Sequence, residues 1–203
     1  YQIVGQPLGV FYLPHCNGLV KNENGSYFYD IEDLDHNGNV DLSDGGDRYI
    51  AGQATPKVIL GSNISFRYKN YYISIQMNGA FGHKIFNGTG LAYTSMACFP
   101  DYNVLKDAPK KNIIDQRVSD YWLEKGDYLN FEHLTIGYNV PLRSKLIRSL
   151  RVSCNISNIG TITGYKGLTP MINSYVVNST MGIDDKRNYP LYRTYSLGLS
   201  VQF

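Results

Sequence analysis

Apolar and polar side chains alternate strictly in several segments of the chain, which is the period of a β-strand with two unlike faces. In residues 194–203, Tyr, Leu, Leu, Val and Phe fall on one face and Thr, Ser, Gly, Ser and Gln on the other. The same alternation occurs in residues 60–68, 71–79, 133–140 and 150–157, and a weaker pattern predicts a sixth strand at residues 7–13. We expect an all-β chain whose last strand covers residues 189–203 and presents its odd-numbered side chains to the apolar side.

The connections between the predicted strands alternate between short and long. Residues 69–70 and 141–149 are short connections, whereas residues 14–56, 82–127 and 160–188 are long. In an antiparallel meander this alternation puts every long loop at one end, as in outer-membrane β-barrels, which have short periplasmic turns and longer extracellular loops. Loops longer than closure requires usually have a role of their own, such as contact with a partner or capture of a substrate.

The two predicted faces differ in a way that favours a membrane barrel over a soluble sandwich. The polar face consists of Ser, Asn, Gly, Gln and Thr with few charges, which suits a hydrated lumen. Tyrosines collect at strand ends, as in aromatic girdles at bilayer interfaces; they are Tyr68, Tyr71, Tyr72, Tyr128, Tyr192 and Tyr195. Because the smallest single-chain barrels have about eight strands, a chain with about six belongs to a larger antiparallel barrel.

Composition excludes several classes of protein. The chain has 203 residues, of which 18 are Tyr and 20 are Gly. Its formal net charge of +2 is too small to indicate binding to nucleic acid. No apolar run approaches the roughly 20 residues of a membrane-spanning helix. The three cysteines, at positions 16, 98 and 154, have neither a zinc spacing nor a disulfide framework. Pairs of carboxylates lie in loops without an apolar pocket to raise one pKa, so we expect no enzyme.

An acidic segment, "DLDHNGNVDLSD", has the spacing of an EF-hand calcium loop, with Gly38 at the sixth position. The candidate ligands at positions 1, 3, 5, 7, 9 and 12 are Asp33, Asp35, Asn37, Asn39, Asp41 and Asp44. The flanking segments are too rich in Gly, Asn, Tyr and Pro to form the two helices of an EF-hand. The expectation is one Ca²⁺ that holds a long loop in shape; the alternative is a polar turn whose Asp and Asn side chains bond to the backbone.

Two further features have a functional and a structural interpretation. Trp122, the single tryptophan, is a weak candidate for stacking on a substrate, and the alternative is a packing anchor. Four basic residues surround the second short connection, where they either contact lipid headgroups or are simply solvated; they are Arg143, Lys145, Arg148 and Arg151.

Several long motifs together identify a family. "RVSDYWLEKGDYLNFEHLTIGYNVP", "SNIGTITGYKGLTP" and "GIDDKRNYPLYRTYSLGLSVQF" closely resemble the C-terminal strands of SusC-type (SusC/RagA family) TonB-dependent transporters. "PLGVFYLPHCNG" and the segment that begins at Asp33 look like the upstream part of the same family. In the family the acidic loop commonly reads Asp-x-Asn-Gly-Asp-Gly. Here the third position is Asp35 instead of Asn, and the fifth position is Asn37 instead of Asp.

The resemblance implies an outer-membrane barrel of 22 strands in a Gram-negative bacterium, of which residues 1–203 are the C-terminal part of the barrel domain. It also implies a plug, contact with TonB through an N-terminal part outside this sequence, and a SusD-like lipoprotein over the extracellular mouth. The imported substrate would be an oligosaccharide or a peptide. The alternative from a different class is a secreted calcium-binding β-sandwich module for carbohydrate binding or adhesion.

Overall fold

The computed structural model describes residues 3–143, 146–172, 181–186 and 188–203. Within this part of the chain the strands are β1 Val10–Leu13, β2 Cys16–Lys21, β3 Tyr27–Ile31, β4 Tyr49–Gln53, β5 Val58–Tyr68, β6 Tyr71–Phe81, β7 Lys84–Asn87, β8 Leu123–Lys125, β9 Tyr128–Val140, β10 Ser149–Thr163, β11 Ile183–Asp184 and β12 Thr194–Gln202. The helices are α1 Gly88–Thr94 and α2 Ala108–Lys111, with 3₁₀ turns at Met96–Cys98 and Asp120–Trp122. No helix among the described residues has the length and apolar character needed to cross a membrane.

The chain divides into two compact units. The loop unit comprises Tyr1–Pro56, Gly82–Gly126 and Tyr165–Tyr189, and the sheet unit comprises Lys57–Phe81, Asp127–Gly164 and Pro190–Phe203. The three segments of the loop unit correspond closely to the three long connections predicted from the sequence.

The sheet unit is one antiparallel sheet of five strands in the order β12-β10-β9-β6-β5. Four of these strands have 11 residues or more, and β10 has 15. The sheet remains open, with β5 and β12 at its edges. The predicted fold class, an antiparallel all-β segment of a barrel, is therefore confirmed.

The register of the sheet puts every long connection at one end. Val58 pairs with Phe81 at the start of β5, and Thr163 pairs with Tyr128 at the end of β10. The opposite end has the short turn between Tyr68 and Tyr71 and the connection from Val140 to Ser149. The predicted alternation of short and long connections is thus confirmed.

Two sequence-based expectations about strands were wrong. The sixth strand exists as β1, but it pairs antiparallel with β4 in a separate two-stranded sheet of the loop unit and is no part of the five-stranded sheet. The last strand begins at Thr194 rather than at residue 189, and residues 188–193 form no strand. Pro190 explains much of this difference, since proline cannot donate a hydrogen bond to the ladder.

The loop unit folds around an apolar core of its own. It contains the antiparallel pairs β1-β4 and β2-β3 and the three-stranded sheet β11-β7-β8. Helix α1 begins where the Asn87 side chain accepts a hydrogen bond from the Gly90 N–H at 2.7 Å, a helix N-cap. The buried core residues are Phe11, Leu13, Tyr29, Ala51, Ala54, Phe86, Ile113 and Trp122. The described parts of the long connections are therefore folded structure and not extended loops.

Candidate functional site

One face of the five-stranded sheet, here called the apolar face, carries continuous rows of apolar side chains across all five strands. Three rows follow the register in the order β5, β6, β9, β10, β12: Ile64–Ile75–Leu134–Ile156–Tyr195, Phe66–Ile73–Ile136–Cys154–Leu197 and Tyr68–Tyr71–Tyr138–Val152–Leu199. Phe66 is 64% exposed and Leu199 70% exposed. A soluble sandwich would bury such a face against a second sheet, so its exposure excludes the β-sandwich alternative and marks an interaction surface.

On the other face, the polar face, side chains of neighbouring strands form hydrogen bonds with one another. The Ser65 hydroxyl donates to Ser74 Oγ at 3.0 Å, and the Thr135 hydroxyl donates to Asn155 Oδ1 at 2.9 Å. Glu132 accepts from the side-chain amides of Gln76 and Asn78 at 3.2 and 3.0 Å. This face pairs its polar groups with one another and remains open to water, as the lining of a hydrated lumen does.

Near the short turns, the polar face holds an arginine in a fixed orientation. The Arg151 Nε–H donates to Asn139 Oδ1 at 2.9 Å, and the guanidinium carbon lies 5.3 Å from the centre of the Tyr72 ring. Tyr72 lies over Gly137, where an added Cβ would approach the ring to 1.9 Å. The glycine thus leaves room for the ring that supports the arginine.

The acidic loop brings together three carboxylates, two of which the sequence identified. Single carboxylate oxygens of Asp33, Asp35 and Asp47 all lie within 4.8 Å of one another. Asp33 also accepts the Gly38 N–H at 2.7 Å, and Asp35 accepts the Asn37 N–H at 3.1 Å. The backbone hydrogen bonds of a polar turn are therefore present, and the carboxylates converge in addition.

Asp47, which lies beyond the last position of the calcium template and was not predicted as a ligand, organises this loop. Its side chain is 1% exposed, and its two oxygens accept the N–H groups of Leu34 at 2.7 Å, Asp35 at 3.2 Å and Asp41 at 2.7 Å. The hydrogen bond from the Asp41 N–H is the main cause of a pKa held below the ordinary value of an aspartate. Asp47 is therefore ionised and ties both ends of the loop to one carboxylate.

The remaining predicted ligands have other partners. Asp41 accepts hydrogen bonds from the Ser43 N–H at 2.9 Å and the Ser43 hydroxyl at 2.8 Å, which lower its pKa. Asp44 pairs with Arg48 at 3.1 Å. The Asn37 amide donates to Asp35 Oδ2 at 2.7 Å, and Asn37 Oδ1 accepts the Asn39 N–H at 2.8 Å. Asp41 and Asp44 do not join the three-carboxylate cluster, whereas Asn37 borders it.

Trp122 lies in the core of the loop unit. Its side chain is 6% exposed, and its indole N–H donates to the Tyr29 hydroxyl at 2.9 Å. A ring buried in this way is not open to a substrate from solvent, which favours the packing role over substrate stacking. Substrate stacking by Trp122 stays a prediction.

The comparisons with known proteins agree with the class that this surface defines, a segment of an outer-membrane β-barrel. The chain is 28% identical over 188 residues to the TonB-dependent receptor P3 of Formosa agariphila and 27% identical over 198 residues to the TonB-dependent receptor SusC of Bacteroides thetaiotaomicron. These matches cover 84% and 91% of the chain but 18% of each relative. No protein-family model matches the chain.

The solved structures support the same fold. The match with the RagAB peptide importer in its closed-closed state covers all of this chain and 25% of the RagAB chain, with a TM-score of 0.70 at 15% identity. The match with the open-open state of RagAB covers 96% of this chain and 22% of the RagAB chain, with a TM-score of 0.70 at 18% identity. The resemblance to a part of SusC-type TonB-dependent receptors is therefore confirmed. These relatives are receptors and importers and not enzymes, which bears out the expectation that the chain is no enzyme.

Proposed function

We propose that the chain is the C-terminal barrel part of an outer-membrane TonB-dependent nutrient importer of the SusC type. The apolar face contacts lipid, the polar face lines the lumen, and the loop unit lies on the extracellular side. There it meets a SusD-like lipoprotein and the substrate, while TonB acts on the N-terminal part of the receptor. The chain spans about a fifth of the length of the curated relatives it matches, so the transport activity belongs to the complete receptor.

The observation that carries the proposal is the exposed apolar face on a sheet with open edges. The two edge strands offer unpaired backbone groups to further strands of a barrel, since an open edge is not tolerated in lipid. The substrate is an oligosaccharide or a peptide. The resemblance to SusC-type transporters implies this pair of classes, and the RagAB peptide importer, a neighbour in fold, supports the peptide.

The test is uptake by cells that carry the complete receptor. Deleting the receptor together with a neighbouring SusD-like lipoprotein should abolish growth on one class, oligosaccharides or peptides, and leave growth on monosaccharides or free amino acids unchanged. Tagged receptor should also purify with the lipoprotein in detergent. A receptor recovered in the soluble fraction would contradict the proposal.

We also propose that the acidic loop binds one Ca²⁺ as a structural ion. Asp33, Asp35 and Asp47 would hold it, with Asn37 beside them and water filling further positions. Three carboxylates at short range repel one another unless a cation or protons intervene, and hard oxygen donors in an irregular arrangement suit Ca²⁺ better than the strict octahedron of Mg²⁺. The ion would fix the loop, and it has no role in transport chemistry.

The calcium proposal has a matched pair of variants. Asp35→Ala removes a converging carboxylate, whereas Asp44→Ala removes an equal charge from a surface pair with Arg48. Millimolar Ca²⁺ should protect the loop of the wild type and of Asp44→Ala from proteolysis, and leave Asp35→Ala as sensitive as in chelator. Equal protection of Asp35→Ala would show that the segment is only an acidic turn.

A further inference from the structure

The two units differ strongly in charge. The sheet unit has eight Lys and Arg residues against two acidic ones, a formal charge of +6, which leaves −4 for the loop unit in a chain of net +2. Both acids of the sheet unit, Asp127 and Glu132, lie toward the end with the long connections. Six of the eight basic residues lie in or within three residues of the two short connections: Arg67, Lys69, Arg143, Lys145, Arg148 and Arg151. The short-turn end of the sheet is therefore basic.

At this end the apolar face finishes in tyrosines on β5 and β6, whereas β9, β10 and β12 continue with Val140, Leu150 and Val201. Tyr68, Tyr71 and Tyr138 are consecutive in register across β5, β6 and β9, and the ring centres of Tyr71 and Tyr138 are 4.7 Å apart. Tyr68 and Tyr71 are both exposed. Lys69 follows directly, with its ammonium 5.3 Å from the centre of the Tyr68 ring. That contact places the Lys69 charge on the side of the apolar face.

Arg148 lies at the same end of the sheet, directly before β10 begins at Ser149. Its N–H donates to the Gln202 carbonyl at 2.7 Å, which holds the Arg148 backbone beside the end of β12. The next apolar-face residues on these two strands are Leu150 and its partner Val201. The Arg148 side chain is exposed.

Two other arginines at this end lie on the opposite face. Arg67 pairs with Tyr72 across the strands, and Arg151 is held by Asn139 and Tyr72. The sequence placed Arg151 in the basic group around the second short connection, and the register puts it on the polar face. Lys145 lies outside the described residues.

We propose that Lys69 and Arg148 each bind the phosphate of a phospholipid headgroup at the short-turn end of the sheet. The inference rests on the proposed function. On β5 and β6 the aliphatic side chains of the apolar face are followed by Tyr68 and Tyr71 and then by the Lys69 ammonium. On β10 the aliphatic side chains of Val152 and Leu150 lead directly to Arg148. Apolar side chains followed by a cation match the order of acyl chain, interface and phosphate in a leaflet. No acidic residue occurs in residues 57–81, 133–164 or 190–203 to neutralise these cations. Their position beside exposed aliphatic and aromatic side chains fits a lipid rather than an acidic protein segment.

The test uses the complete receptor with this chain in place, reconstituted in vesicles of phosphatidylethanolamine and phosphatidylglycerol. Native mass spectrometry then counts the phospholipids retained after mild extraction. The variant Lys69→Gln/Arg148→Gln keeps both positions polar but removes their charge. Since a basic side chain at an anionic surface contributes about 1 kcal/mol, retention of phosphatidylglycerol should fall by roughly fivefold for each cation removed. Arg67→Gln, at the same end but on the polar face, should retain lipid like the wild type.

Each other outcome counts against the inference. Equal retention by the wild type and the double variant would overturn it, and so would an equal loss in Arg67→Gln, because net charge alone would then explain the retention. A cross-link from these two positions to an acidic protein segment, with lipid retention unchanged, would replace lipid by protein as the occupant. If the receptor fails to enter vesicles, the proposed function falls together with the inference; if it inserts with unchanged retention, the inference alone falls.

Discussion

At the scale of single residues, Asp120 joins separate segments of the loop unit through one carboxylate. Its Oδ2 lies 2.6 Å from His15 Nδ1 and accepts the Tyr49 hydroxyl at 2.6 Å, while its Oδ1 accepts the Cys16 N–H at 2.8 Å. Glu32 lies 4.0 Å from the other ring nitrogen of His15. The hydrogen bond with Asp120 is the main reason why the pKa of His15 is raised above its ordinary value of 6.5.

This cluster predicts a pH dependence of the loop unit. A raised pKa means that the stabilisation by protonated His15 is fully present below pH 6.5 and is lost as pH rises through the raised pKa. Tyr49 takes no part, because burial and the bond to Asp120 raise its pKa to about 12. Hydrogen exchange of the Cys16 amide should therefore accelerate above pH 6.5 beyond the intrinsic increase. The variant His15→Gln should remove that excess, and an unchanged excess in the variant would contradict the assignment.

Trp122 gives a second prediction at this scale. Replacing a buried tryptophan by alanine typically costs about 3 to 5 kcal/mol through lost burial and a cavity. Trp122→Ala should therefore unfold the loop unit at markedly lower denaturant, as followed by protease sensitivity. Trp122→Phe keeps most of the packing and loses the hydrogen bond to Tyr29, so it should cost only about 1 kcal/mol. Two variants that fold normally but bind substrate poorly would instead restore the ligand-stacking role.

At the scale of elements, strand β12 tests the assignment of the two faces. Leu199 lies on the apolar face in a row with Val152 and Tyr138, whereas Ser200 pairs with Arg151 on the polar face. In the complete barrel, Leu199→Arg should lower the free energy of unfolding in lipid by about 2 to 4 kcal/mol if the residue lies near the bilayer midplane. Ser200→Arg is the matched control and should cost far less. Similar losses from both substitutions would argue against lipid contact.

The elements also show what sequence patterns can and cannot predict. The long strands were predicted because alternation over many residues leaves a single register for an apolar face. Strand β1 was predicted as a strand but assigned to the wrong sheet, since four residues carry no information about the partner, Tyr49–Gln53. The core of the loop unit was missed because Phe11, Phe86 and Ile113 come from segments far apart in sequence. Asp47 was missed because the calcium template ends at Asp44. In the folded loop the Asp47 carboxylate, which comes later in the chain, lies beside Asp33 and Asp35.

At the scale of the whole molecule, the chain combines a sheet that has one exposed apolar face with a compact unit built from its long connections. This division explains why the connections are so long, because each contributes to a common core rather than merely closing a turn. Under the proposals made above, the apolar face would contact acyl chains, the basic short-turn end would contact headgroups, and the acidic loop unit would lie on the extracellular side. We expect the complete receptor to require detergent or lipid for solubility even where the loop unit is intact.

The most direct test of the account is the environment of each residue along β12. Single nitroxide labels at positions 194–202 of the complete receptor in lipid vesicles would report collision rates with oxygen, which concentrates in the bilayer, and with a water-soluble nickel chelate. The account predicts a period of two, with Tyr195, Leu197, Leu199 and Val201 accessible to oxygen and the even-numbered positions accessible to nickel. Oxygen accessibility at the even-numbered positions, or the absence of any alternation, would contradict the assignment of the apolar face to lipid.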